Sequence, residues 1–182
     1  PRVPVAHLLA ALTWHILQPV GTLHDHPAQL FDDPLSESAW ADRRQRLPWA
    51  IFAELLAAAL RPRADAAAHP DAFWRGWRLL AIDGTQFSLR NTSAITAVTR
   101  KARTRRGPAA FAKLTTAVLL ELGLHNPVAA AIAHAGESEW ALAQRLLPAL
   151  PPGALILADR LYGVTAFAQA AAAACAAVGS HL

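Results

Sequence analysis

The sequence predicts a mixed α/β domain preceded by an all-helical region. Three observations carry this. Apolar residues recur at helical spacing through the first third of the chain, short apolar runs bounded by turn residues come next, and alanine-rich helical stretches then alternate with such runs. With 182 residues, 54% of them hydrophobic and 16% charged, the chain has enough apolar surface to build a core.

Residues 5–18, "VAHLLAALTWHILQ", place apolar positions on one helical face and stop before Pro19. "LSESAWADRRQRLPWAIFAELLAAALRP" continues the helical pattern, with Ser36 or Ser38 as N-cap, a break at Pro48 and a stop at Pro62. The Pro, Gly and aromatic residues of "HPDAFWRGW" mark a junction, so a helical region is expected over residues 1–72 and an α/β domain over 73–182. Within the second part, "WRLLAIDGT" predicts one strand, and "AKLTTAVLLELGL" and "NPVAAAIAHAG" predict two more joined by a turn at Asn126-Pro127. "ESEWALAQRLLPAL" predicts a helix presenting Trp140, Leu142, Ala143, Leu146 and Leu147 on one face. "ALILAD" reads as a buried parallel strand, "VTAFAQAAAAACAAV" as a helix and "GSHL" as the opening of another strand. Three strands, then helix, strand, helix, strand, is the ribonuclease-H-like order. It gives an incomplete mixed sheet with the strands ending in Asp83 and Asp159 side by side.

Several function classes drop out. Cys175 is the lone cysteine, which excludes an internal disulfide and a cysteine-based zinc site and makes a reducing, cytoplasmic setting the expectation. The apolar runs are too short or too often interrupted for a membrane span, and Arg2 alone is a poor start for a signal peptide. A chain that opens on Pro1 and has no methionine is expected to be a piece of a longer product. "HDH" at residues 24–26 lacks a second ligand pair and reads as a polar loop, while Trp74 and Trp77 read as core.

The chemistry lies in two matching stretches, "RLLAIDGTQFS" at 78–88 and "GALILADRLYG" at 153–163, where an apolar run ends on a carboxylate. A lone buried carboxylate is costly unless paired, hydrogen-bonded or bound to a cation. Two on neighbouring strands can hold Mg²⁺ or Mn²⁺, because a hard cation takes oxygen ligands. The structural alternatives are an Asp-Gly turn at Asp83 and a salt bridge or helix cap at Asp159. Between Asp83 and Glu121 there is no acid, while Arg90, Arg100, Lys101, Arg103, Arg105, Arg106 and Lys113 fall in that span. Such a block is the footprint of a polyanion site, or else a solvated loop.

Together, "LLAIDGTQFSLRNT", the basic loop after it, "TAVLLELGLHNPVAAAIAHAGESEWALAQRLLPAL" and "LILADRLYG" resemble transposases of the insertion-sequence IS4 family in the DDE group, and "LSESAWADRRQRLPWAIFAELL" resembles that family's N-terminal region. The resemblance implies a bacterial, nucleoid-associated enzyme that cuts and joins double-stranded DNA, at element ends and at a target, with a divalent ion. In full length it would act as a homodimer. It further implies that Asp83 and Asp159 are the first two metal-binding catalytic aspartates and that Arg160 lies near DNA phosphates, with Arg100, Lys101, Arg103, Arg105 and Arg106 as further DNA contacts. Tyr162 corresponds loosely to an aromatic of the second motif. The family's third carboxylate, a glutamate in a Tyr-Arg-Glu-Lys helix beyond a further insertion, has no counterpart before Leu182, so this stretch alone is expected not to transpose. Glu137 and Glu139 open the helix before Asp159, where the helix dipole favours acids. Cellular ribonuclease H enzymes, with the same strand order, use a glutamate on the corresponding helix. A non-catalytic remnant that binds DNA or the complete transposase is the alternative.

Overall fold

The computed structural model describes residues 3–31, 35–99, 101–105, 107–134 and 136–179. The chain divides into two compact units, Pro1–Leu56 and Ala57–Leu182.

The first unit is helical. Helix α1 (Val5–Leu17) begins after Pro4, which lacks the N–H a first helical turn leaves unpaired anyway. A short α2 (Asp25–Ala28) and α3 (Glu37–Gln45) follow, the latter capped by the Ser36 hydroxyl, which accepts from the Ala39 N–H at 3.3 Å. Leu8, Ala11, Leu23 and Trp40 form its core. The "HDH" stretch is therefore a helical turn rather than a polar loop. His26 within it is buried, with Nδ1 at 2.8 Å from His15 Nδ1 and Nε2 at 2.8 Å from the Val20 carbonyl. Helix α4 (Trp49–Ala59) starts past Pro48 and carries the chain across the division.

The second unit is mixed α/β, built on an open five-stranded sheet. Strand β1 (Phe73–Trp74) and β2 (Trp77–Ser88) form a hairpin through Arg75 and Gly76, both at positive φ (51° and 86°), the two-residue turn that matches strand twist. Trp74 is half exposed there, with the Arg75 guanidinium 4.6 Å over its ring, so it is not the core residue expected. After β2 come a short helix α5 (Ser93–Val98) and a two-rung hairpin of β3 (Arg103–Thr104) with β4 (Gly107–Pro108), where the sequence reading had only a basic loop.

Strand β5 (Lys113–Glu121) pairs antiparallel with β2 and with β6 (Asn126–Ile132). The connecting turn occupies residues 122–125, not Asn126-Pro127. Asn126 already pairs with Glu121, and Pro127 sits beside a register shift at Leu119/Leu120 on a strand with one neighbour, where a missing N–H is tolerated. Helix α6 (Glu139–Leu146) is capped by Ser138 and buries Leu142, Ala143 and Leu146 against the sheet. Strand β7 (Ala154–Ala158) then pairs parallel with β2, and α7 (Thr165–Ala177) packs Phe167, Ala171 and Cys175 into the same core. The strand expected from "GSHL" lies outside the described residues, apart from Gly179 in a turn.

The second unit begins upstream of the expected junction at residue 72, and a buried acid accounts for this. Glu121, fully buried at the end of β5, accepts from the Arg63 and Ala64 N–H groups (2.9 and 3.0 Å) and from Asn126 Nδ2, and it pairs with Arg78. Residues 61–64 are thereby tied to the sheet. Among the described residues, no helix is long and apolar enough to cross a membrane.

Candidate active site

The parallel register of β2 and β7 runs from Arg78↔Ala154 to Ile82↔Ala158. Asp83 follows within β2, and Asp159 is the first residue past the end of β7, its backbone still extended (φ −76°, ψ 178°). Side chains alternate along a strand, so the two acids leave neighbouring backbones on one face. Both are exposed. Each spends one oxygen locally: Asp83 Oδ1 accepts from the Gly84 N–H at 2.8 Å, and Asp159 Oδ1 accepts from the Leu161 N–H at 2.7 Å, which starts the short 3₁₀ turn Arg160–Tyr162. Of the two structural alternatives from the sequence, one is present and one is not. Asp159 does cap a turn, whereas Asp83 lies inside β2 and not in a turn.

Helix α6 brings a third carboxylate to the same end of the sheet. Glu139, in its first turn, lies against Gly84 from the helical side, and its Oε1 accepts from the Tyr162 hydroxyl at 2.8 Å. Tyr162 is buried beside Phe167, with ring centroids 5.2 Å apart. Burial, then the Glu139 bond and charge, then the charges of Asp83 and Asp159, push the Tyr162 phenol well above its ordinary range. One phenol therefore feels all three carboxylates. The two glutamates that open α6 separate cleanly: Glu137 is engaged elsewhere, accepting from the His134 N–H at 3.0 Å and pairing with Arg145 at 2.9 Å.

No protein-family model, curated protein or solved structure matches this chain.

Asp83 and Asp159 suit a hard divalent ion as oxygen ligands, being adjacent, exposed and each hydrogen-bonded through only one oxygen among the described residues. Among the described residues no three His, Cys, Asp or Glu side chains are grouped so as to hold a metal. Glu139 faces Tyr162 instead. Arg160 is exposed directly after Asp159. Of the expected DNA contacts, Lys101 and Arg105 are described, Arg103 contributes its backbone to β3, and Arg100 and Arg106 lie outside the described residues. Gly84 is the residue whose part the sequence reading missed. A glycine inside a strand pattern does signal a close approach by another group, but the Asp-Gly pair reads more readily as a turn.

Proposed function

We propose that the second unit is a ribonuclease-H-like catalytic domain of a DDE-group DNA transposase, similar to the IS4 family. The observation that carries the reading is the parallel register of β2 and β7, whose last pair, Ile82↔Ala158, immediately precedes Asp83 and Asp159. The sheet order supports it: three antiparallel neighbours, β6, β5 and β2, with β7 parallel beside β2. Asp83 and Asp159 hold Mg²⁺ or Mn²⁺, which when bound stabilises charge on phosphoryl oxygens and lowers the pKa of bound water. Arg160, Lys101, Arg105 and Lys113 orient duplex DNA through its phosphates and carry no sequence information. The setting is the bacterial nucleoid. A non-catalytic DNA-binding role is the second reading, favoured by Glu139 being hydrogen-bonded to Tyr162.

The test is strand cleavage of duplex DNA carrying an element's ends, with Mg²⁺ or Mn²⁺, alongside Mn²⁺ binding by calorimetry. Metal-dependent cleavage and Mn²⁺ binding that both vanish in Asp83→Asn and Asp159→Asn, with unchanged melting, support catalysis. DNA binding without Mn²⁺ binding supports the second reading.

A further inference from the structure

One recess of the second unit lies away from Asp83 and Asp159. It lies where β2 finishes, between α5 and the start of β5, and encloses about 820 Å³, within the roughly 300–1,000 Å³ common for ligand sites. Its walls are mostly apolar, with Leu89, Ile95, Leu114 and Phe111, and carry Gln86, Thr99, Thr115 and His134 as polar groups. Phe111 is 51% exposed, although a phenylalanine gains most from burial. Lys101 and Lys113 stand on the rim. The Lys101 ammonium donates to the Ala110 carbonyl at 2.8 Å, which fixes it beside Phe111 with two donors left over. Among the described residues neither lysine forms a salt bridge, and Glu137, the acid of this lining, is neutralised by Arg145.

We propose that this groove binds a stretch of single-stranded DNA, with a base stacked on Phe111 and the flanking phosphates on Lys101 and Lys113. The combination decides between nucleic-acid forms. A duplex keeps its bases stacked inside and presents phosphates, which would leave Phe111, Ile95 and Leu114 facing water. An unpaired strand offers both a π-face and phosphates, and aromatic platforms beside cationic side chains are how such strands are held. The polyanionic backbone of nucleic acid complements a segment with no acid from Gly84 to Leu120. The groove does not share the face of the acids, since Gln86 at its edge is three residues along β2 from Asp83, an odd step that turns its side chain to the opposite face of the sheet. The binding therefore does not rest on the catalytic reading.

The experiment measures fluorescence anisotropy of a labelled thymidine dodecamer, a duplex of equal length and thymidine monophosphate against the whole chain. The expected result is preference for the single strand. Phe111→Ala should weaken it about tenfold or more, and Phe111→Trp should restore it, as stacking predicts. Lys101→Ala and Lys113→Ala should each reduce the salt slope by about 0.7. Unchanged single-strand affinity in Phe111→Ala, or equal losses for the duplex, would overturn the proposal. So would equal affinity for the monophosphate, which would make the groove a mononucleotide pocket. Asp83→Asn separates the two ideas: it should leave single-strand binding intact. Duplex cleavage that survives with no single-strand binding rejects the groove alone, and single-strand binding by a chain that neither cleaves nor binds Mn²⁺ supports the groove while rejecting the catalytic reading.

Discussion

Gly84 leaves space where any other residue would place a Cβ overlapping the Glu139 carboxyl. Because Glu139 is tied to Tyr162, the space serves the bond between them. In Gly84→Ala the glutamate must swing away, and the lost hydrogen bond should lower stability by about 1 kcal/mol, read from the denaturant midpoint. Tyr162 is the chain's single tyrosine, so alkaline near-UV absorbance titrates it alone. Its folded pKa is raised, so its contribution to stability is complete below the ordinary phenol pKa of about 10 and is lost as pH rises beyond it. The native phenol should ionise at higher pH than in urea. Glu139→Gln should bring it down towards the ordinary value, because the negative charge that opposes the phenolate is gone. If the native and urea curves coincide, the hydrogen bond and the burial of Tyr162 are both wrong.

At the scale of elements, Glu121 acts as a clasp between the end of β5 and residues 61–64. Burial alone would raise its pKa, but the N–H groups of Arg63 and Ala64 and the Arg78 guanidinium outweigh that and hold it below the usual carboxylate range. Its stabilising effect is therefore present above the unfolded-state value of about 4.3 and fades as pH falls through the lower folded value. Glu121→Ala should cost about 3–5 kcal/mol, since it strands the Arg78 charge, the buried Ala64 N–H and the part-buried Arg63 N–H. Limited proteolysis should then cut near residues 61–64 before any strand is lost. The sequence did not reveal this element-level contact, because the partners are some 60 positions apart and an isolated glutamate closing an acid-free block carries no local mark. What was legible was periodic. The apolar runs of β2 and β7, the caps Ser36 and Ser138 and the helical face of α6 all follow from local pattern. The hairpin turn at 122–125 was misplaced because Asn-Pro looks like a turn whichever strand it enters. Asp83 and Asp159 were legible for the same reason as their strands, whereas the approach of Glu139 to Gly84 depends on how α6 lies on the sheet.

For the molecule as a whole, the two faces of the sheet differ. One packs against α6 and α7, while on the other Phe87, Ile132 and Leu157 are 54%, 41% and 47% exposed. An uncovered apolar face of this kind marks an association or aggregation surface. Ile132→Lys with Phe87→Lys should reduce hydrophobic-dye binding and concentration-dependent light scattering without moving the melting temperature. Unchanged scattering would show that the face does not drive self-association. The acids share that face only through the register of β2 and β7, and this gives the site a rule of parity. Lengthening the turn at residues 151–153 changes a loop and nothing else. One residue inserted between Ala154 and Ala158 sends Asp159 through the sheet to the helical side. Two inserted residues return it to the correct side but carry it about 7 Å past Asp83. Odd insertions inside β7 thus invert the site and even ones displace it, so natural length variation in this unit belongs in its loops.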